Sequence, residues 1–155
     1  FPWLSLLLVL PLAGAVAVYF ATESAARWIA LAATLADLLV ALPLWWLFDS
    51  QASQMQFTEN VAGITAPPIY YNLGLDGISL PLVLMTAGIM PLCVLASWNA
   101  ITTSRRGFMA VLLIMETAMV GVFVVLDFVL VYVFWEALLI PLYLLIGVGG
   151  GTNRL

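Results

Sequence analysis

The chain has 155 residues, of which 65% are hydrophobic and only 8% are charged. Soluble domains are about one quarter charged, so this composition excludes an ordinary soluble protein and predicts an integral membrane protein. The four basic residues are all arginines and there is no histidine, which excludes a basic nucleic-acid interface and a histidine-based metal or catalytic site.

Runs of about 20 apolar residues, long enough to cross a bilayer, follow one another along the chain. The apolar stretch 108–147 would form a straight helix about 60 Å long, about twice the bilayer core, so we expect it to fold back at Asp127. The sequence therefore predicts an all-α integral membrane protein with one membrane region, 1–155, and a loop at 49–76. The predicted transmembrane helices cover approximately 2–20, 27–48, 77–98, 108–126 and 128–147.

The arginines mark one side of the membrane. With five crossings, the links and ends on one side of the membrane contain all four arginines, Arg27, Arg105, Arg106 and Arg154. Because basic residues favour the cytoplasmic side, we predict an external N-terminus, an external loop at 49–76 and a cytoplasmic C-terminal end.

Three carboxyl groups are predicted to lie within the hydrocarbon. Glu136 and Glu116 lie about 12 Å deep in their helices, and Asp37 lies near the midplane, as judged from the helical rise per residue. An ionised acid costs several kcal/mol there unless it is paired or faces water. The arginines all map to helix ends, so either these acids hold protons or their cations come from other segments or subunits. For Glu116 and Asp37, a structural contact with a neighbouring helix is the alternative; Asp76 is interpreted as a solvated or helix-capping carboxylate.

Glu136 has the most informative surroundings. Helical spacing places Tyr132, four residues before it, and Tyr143, seven residues after it, on the same helix face. Pro141 leaves the carbonyl of Ala137 without its usual helical partner, so we expect a kink and a hydrated polar site beside the acid. We interpret Glu136 as a proton-relay group. The alternative is a protonated glutamate that bonds to a neighbouring helix as a structural contact.

No redox centre can be built from these residues. Cys93 is the only cysteine, so a thiolate cluster is excluded, and without histidine the usual haem ligand is missing. The glycines at 147–151 follow a helix rather than a strand, so they do not predict a nucleotide-binding loop. We therefore expect no cofactor and no metal in this chain itself.

Three segments carry a family resemblance. They are LGLDGISLPLVLMT at 73–86, ETAMVGVFVVLD at 116–127 and FWEALLIPLYLLIGVGGGTNRL at 134–155. Together they resemble subunit M of respiratory complex I, the antiporter-like subunit of NADH:quinone oxidoreductases. The same subunit is called chain 4 in mitochondria, and a counterpart occurs in the photosynthetic complex. The combination of DGISLPL with WE-x4-P-x-Y is the most specific part.

The resemblance implies the N-terminal third of an antiporter-like, proton-translocating module in a membrane arm. In the family, the glutamate that matches Glu136 pairs with a lysine on a later helix, which lies outside this segment. The resemblance also implies neighbouring antiporter-like subunits and other membrane-arm partners, with FMN, iron–sulfur clusters and quinone held by partner subunits. It places the chain as a multi-pass protein in the lipid bilayer of an energy-converting membrane, expected to be the bacterial inner membrane. No nucleic acid is expected as a partner.

The resemblance thus implies a non-redox subunit of a proton-translocating NADH:quinone oxidoreductase. Two alternatives stay open: a subunit of a related cation/proton antiporter or membrane-bound hydrogenase, and a structural membrane subunit without a transport role. The residues predicted to take part in proton translocation are Glu136, Glu116, Tyr132, Tyr143 and Pro141, with Asp37 as a further intramembrane acid.

Overall fold

The computed structural model describes residues 3–48, 51, 54, 56–65, 68–98, 105–126 and 128–149. Asp127 and Arg154, used above, lie outside these ranges. The five helices of the described residues confirm the predicted fold class: α1 Trp3–Tyr19, α2 Glu23–Leu47, α3 Ser79–Ala96, α4 Arg105–Val124 and α5 Phe128–Gly149. An antiparallel hairpin, which was not predicted, joins α2 to α3 through β1 Gln56–Thr65 and β2 Pro68–Leu75.

The helices pack side by side as a membrane bundle. By length and composition, three described helices can cross a bilayer: Ser24–Leu47, Ser79–Ala96 and Arg106–Val124. Two shorter apolar helices, Trp3–Tyr19 and Val129–Leu144, accompany them. Helix α1 packs against α2 and α4, α3 packs against α2 and α4, and α5 packs against α4. Helix α4 therefore lies at the centre, and α5 lies at one edge.

Helix α2 begins earlier than predicted, at Glu23 instead of residue 27. Thr22 has extended backbone angles, and its hydroxyl accepts a hydrogen bond of 3.2 Å from the amide of Ala25. A threonine in this position satisfies one of the amides that the first helical turn leaves free. The residues between the first two predicted helices, 21–26, therefore include the first turn of α2.

Asp76 stabilises the start of α3, as its position suggested. One of its carboxylate oxygens accepts hydrogen bonds from the amide of Ser79 at 2.7 Å and from that of Ile78 at 3.0 Å. The hydroxyl of Ser79 in turn accepts a bond of 2.9 Å from the amide of Asp76. Three backbone amides are thus satisfied by one reciprocal pair of side chains.

The hairpin closes one end of the bundle. Leu73 and Leu75 of β2 are fully buried among the helices, and Leu73 forms an isolated bridge with Val125 just after α4. Phe57 has a φ of 56° at a register shift in β1, and its side chain packs against the same apolar cluster. A residue of this size adopts positive φ only under local constraint, here a strand irregularity beside the core.

The other end of the bundle carries the arginines. The guanidinium of Arg27 donates a hydrogen bond of 3.1 Å to the carbonyl of Trp98 and lies 4.8 Å from the centre of its ring. Arg106 donates to the carbonyls of Tyr19 and Ala21, each at 3.3 Å. Two of the four arginines therefore lie at one end, as predicted, while the assignment of that end to the cytoplasm stays a prediction.

Two apolar clusters form the core, one near each end. The cluster at the hairpin end includes Leu4, Leu7, Ala41, Leu44, Leu73, Val83, Ala87, Val120 and Val124. The cluster at the arginine end includes Ala15, Val18, Ala26, Ala30, Met90, Val94, Met109 and Leu113. Each of the first four helices contributes to both clusters, so the boundary between the clusters crosses the middle of the bundle.

Candidate functional site

A layer of buried polar side chains lies between the two apolar clusters. Asp37 lies well inside α2, and Glu116 lies well inside α4. Each is separated from both ends of its helix by about two helical turns or more, so both acids lie deep in the bundle. We define the polar layer as Thr34, Asp37, Thr86, Glu116 and Thr117, each no more than 5% exposed.

The three threonine hydroxyls of the polar layer donate to backbone carbonyls. Two of these bonds each lie within a single helix. The hydroxyl of Thr34 donates to the carbonyl of Ala30 at 3.0 Å in α2, and the hydroxyl of Thr86 donates to the carbonyl of Leu82 at 2.9 Å in α3. The third crosses between helices, because Thr117 on α4 donates to Leu8 on α1 at 2.8 Å. A hydroxyl has one proton to donate, so none of the three has a proton left for a carboxyl group in these arrangements.

The two acids of the polar layer are brought together from α2 and α4. Asp37 and Glu116 are both fully buried, and their carboxyl groups are close enough for a hydrogen bond between them. Apart from this mutual contact, their four oxygens have no hydrogen-bond partner among the described residues. Two ionised carboxylates have no donor to offer each other, so a bond between the two acids requires a proton.

The surroundings of this pair contain little else that ionises. Besides Asp37, the ionisable group near Glu116 is Cys93, which is partly buried on α3. Arg27 and Arg106 are bonded to carbonyls at the end of the bundle. Within the described ranges, no group of three His, Cys, Asp or Glu side chains is placed to hold a metal ion. Two carboxyl groups within hydrogen-bond reach of each other can hold a proton between them.

Glu136 lies apart from this pair, on the exposed side of α5. Tyr132 and Tyr143, which helical spacing places on its face, are 64% and 63% exposed, and Glu136 is exposed as well. Pro141 is buried, on a side of α5 about 140° away from Glu136 at about 3.6 residues per turn. The predicted polar face of Glu136 and the two tyrosines is thus present, and it is open toward the outside of the bundle.

The structure adds residues that the sequence analysis did not select. Thr34 and Thr117 complete the polar layer beside Asp37 and Glu116, and Thr86 contributes from α3. A signal was present in the sequence, because Thr34 lies three residues before Asp37 and Thr117 directly follows Glu116 on otherwise apolar helices. Pairing of Asp37 with Glu116 depends on how α2 packs against α4, which no single-helix pattern reports.

Comparison with known protein families gives a specific match. Residues 5–122 match the family model described as NADH-ubiquinone oxidoreductase chain 4, amino terminus. The chain is 41% identical over 159 residues to NADH-quinone oxidoreductase subunit M of Rhodobacter capsulatus, covering 98% of this chain and 30% of the relative. It is 39% identical over 154 residues to F(420)H(2) dehydrogenase subunit M of Methanosarcina mazei, covering 99% of this chain and 31% of the relative. The chain thus spans about a third of the length of these relatives.

The fold also matches a solved membrane complex. A chain in the structure of respiratory complex I from Thermus thermophilus with bound NADH superposes with a TM-score of 0.79 at 24% sequence identity. The match covers 97% of the present chain and 30% of that chain. At this level of identity the comparison establishes a shared fold for the helices and the hairpin.

Proposed function

The chain belongs to the family of NADH-ubiquinone oxidoreductase chain 4, and from this membership we propose that it forms part of a proton-translocating membrane subunit. The subunit would work in the membrane arm of a complex that reduces quinone, next to other antiporter-like subunits. The names of its relatives, an NADH-quinone oxidoreductase subunit and an F(420)H(2) dehydrogenase subunit, support this class of complex.

The observation that carries the proposal is the open face of α5 with Glu136. Ionisable side chains inside a membrane face a protein interior or a water-filled cavity rather than lipid. Glu136 is exposed in this chain, between two exposed tyrosines, so its face is one that other protein segments cover in the assembled complex. We propose that the partner is a lysine, and since this chain has no lysine, the lysine belongs to another segment or subunit.

Proton translocation by this mechanism needs groups that change protonation state as the partner cation moves. Glu136 supplies one, and the hydroxyls of Tyr132 and Tyr143 can hold water beside it. Pro141 frees the carbonyl of Ala137 as a further acceptor within α5. We propose that Glu116 and Asp37 belong to the same translocating module at a second position, in the core of the bundle.

We assign the redox chemistry to partner subunits. The chain has one cysteine and no histidine, the residues that usually bind iron–sulfur clusters and haem. FMN, iron–sulfur clusters and quinone would then be bound elsewhere in the complex. The membrane is an energy-converting one, for which we propose the bacterial inner membrane.

The decisive experiment is Glu136→Gln in the intact complex that contains the full-length subunit. We expect normal assembly and slower quinone reduction. Proton translocation should fall by at least about tenfold, which is less than the factor of about 100 or more that a positioned acid or base usually contributes. Asp76→Asn is the matched control, because it removes a carboxylate from the start of α3, outside the apolar span. Normal pumping by an assembled Glu136→Gln complex would contradict the proposal and favour a structural subunit without a transport role. Purification of the chain with a complete set of antiporter subunits but without flavin and iron–sulfur subunits would favour the antiporter alternative.

A further inference from the structure

We propose that Asp37 and Glu116 form one proton-binding site, in which the two carboxyl groups hydrogen-bond to each other through a single shared proton. The site lies in the core of the bundle, between α2 and α4, with α3 packed against both helices. It is separate from the exposed face of Glu136. The inference concerns where a proton is held and does not depend on the proposed pumping role.

Burial is the first step of the argument. Both acids are fully buried, between two clusters made of leucine, valine, alanine and methionine side chains. Two adjacent ionised carboxylates repel each other, and each has lost its water. The described arginines, Arg27 and Arg106, lie at the end of the bundle and bond to carbonyls there. One proton lowers the charge of the pair from −2 to −1 and removes the repulsion between two ionised carboxylates.

The hydrogen-bond inventory is the second step. The four carboxyl oxygens have no partner outside the pair among the residues described, and the hydroxyls of Thr34, Thr86 and Thr117 all donate to carbonyls. A buried carboxylate without a donor is unfavourable. The acid proton of one carboxyl is the donor within reach of the other, so one proton satisfies both side chains at once. A charge-assisted bond of this kind is also stronger than a neutral one.

The other titratable groups near the pair are few. Helix α3 brings the thiol of Cys93. Helix α1 has Tyr19 at its end, and α5 carries Tyr132, Glu136 and Tyr143, all of which are exposed. Uptake or release of the shared proton is thus controlled mainly by the two acids themselves, which titrate as a unit.

Infrared spectroscopy of the purified complex, with the full-length subunit, tests the site directly. The C=O stretching band of a protonated carboxylic acid is compared among wild type, Asp37→Asn, Glu116→Gln and the double variant, in water and in deuterium oxide. Each single variant leaves one buried acid beside an amide, which has no acid proton to share. We expect each single substitution to remove the band of the shared proton completely, with any band of the remaining acid at a different frequency, and the double substitution to leave no band from either acid.

A loss that is additive across the two single variants would show two independently protonated acids and overturn the proposal. A band unaffected by either variant would do the same. Loss of the wild-type band when sodium ions are added, at constant pH, would show that the pair is a cation site instead. The exchange variant Asp37→Glu with Glu116→Asp keeps both carboxyls and should retain a single shared band, which provides a readout if an amide variant fails to assemble. Failure of the Glu136 experiment leaves these outcomes unchanged, because they do not measure pumping.

Discussion

The hydroxyl of Thr117 on α4 donates a hydrogen bond of 2.8 Å to the carbonyl of Leu8 on α1, and both residues are buried. The bond joins two helices at the height of the polar layer. Within a membrane there is little hydrophobic driving force between helices, so packing and bonds of this kind hold the bundle together.

Thr117→Val should weaken the bundle, because it keeps the shape of the side chain but removes the donor to Leu8. We expect the free energy of unfolding to fall by about 0.6 kcal/mol and by no more than about 1.7 kcal/mol, the average and the maximum measured for interhelical hydrogen bonds in a membrane protein. Unfolding in mixed detergent micelles gives this quantity. Thr117→Ser, which keeps the hydroxyl, should be close to wild type, and Thr34→Val should cost less because its bond lies within α2. Equal losses for Thr117→Val and Thr34→Val would contradict a role for the interhelical bond.

Gly121→Ala should separate α4 from α5. A Cβ at Gly121 would overlap the ring of Phe134 on α5, including the ring atom bonded to its Cβ, so the ring or the helix that carries it must shift. Overpacking of this type costs about 1–3 kcal/mol, measurable by the same unfolding experiment. Gly88→Ala is the matched control, because nothing lies within 4 Å of a Cβ there. That control should be neutral or stabilising by up to about 1 kcal/mol, since alanine favours helix.

Asp76→Ala should destabilise the start of α3 in a pH-dependent way. The pKa of Asp76 is lowered from its ordinary value of 3.8, chiefly by the amide of Ser79 and further by the Ser79 hydroxyl and the Ile78 amide, which together outweigh the effect of burial. Because the folded-state pKa is the lower one, the stabilisation is complete above about pH 3.8 and is lost as the pH falls through the folded-state value. Near neutral pH we expect a cost of about 0.5–2 kcal/mol. Thermal unfolding at several pH values checks this, and a difference that persists unchanged in strong acid would refute it.

The orientation of the bundle can be read by thiol labelling. Gln54, beside the hairpin, and Gly107, at the start of α4, are both exposed, and they lie toward opposite ends of the bundle. In a Cys93→Ser background, Gln54→Cys should react with an impermeant reagent added outside intact cells. Gly107→Cys should react only in inverted vesicles, because the arginine end is expected to face the cytoplasm. The reverse pattern would invert the predicted topology.

Local sequence patterns predicted the helices well, because a membrane span needs about 20 apolar residues whatever surrounds it. They placed the break of the long apolar stretch correctly, since α4 ends at Val124 and α5 begins at Phe128. The hairpin was missed because its burial depends on Leu73 and Leu75 packing onto helices distant in sequence. Such contacts leave no periodic signal in a short polar stretch.

The candidate site was predicted only in part, for a related reason. Helical spacing put Tyr132, Glu136 and Tyr143 on one face of α5, and all three side chains are exposed. The acids Asp37 and Glu116 were each recognised as unusual, but the distance between them depends on how α2 and α4 are rotated about their axes. The apolar residues around those helices fix that rotation collectively, and one sequence does not reveal it.

The polar layer also fixes how the helices are aligned along the axis of the bundle. The apolar clusters above and below it consist of similar side chains, so sliding one helix past another would exchange leucine for valine at modest cost. A slip of one helical turn would move Asp37 by about 5.4 Å and set its carboxyl against hydrocarbon, while Thr117 would lose the Leu8 carbonyl. Alternative alignments of the helices are penalised at this level, much as a single buried polar residue fixes the register of a coiled coil. Nonpolar replacement of the whole layer should therefore yield a bundle whose helices are held less strictly in a single alignment.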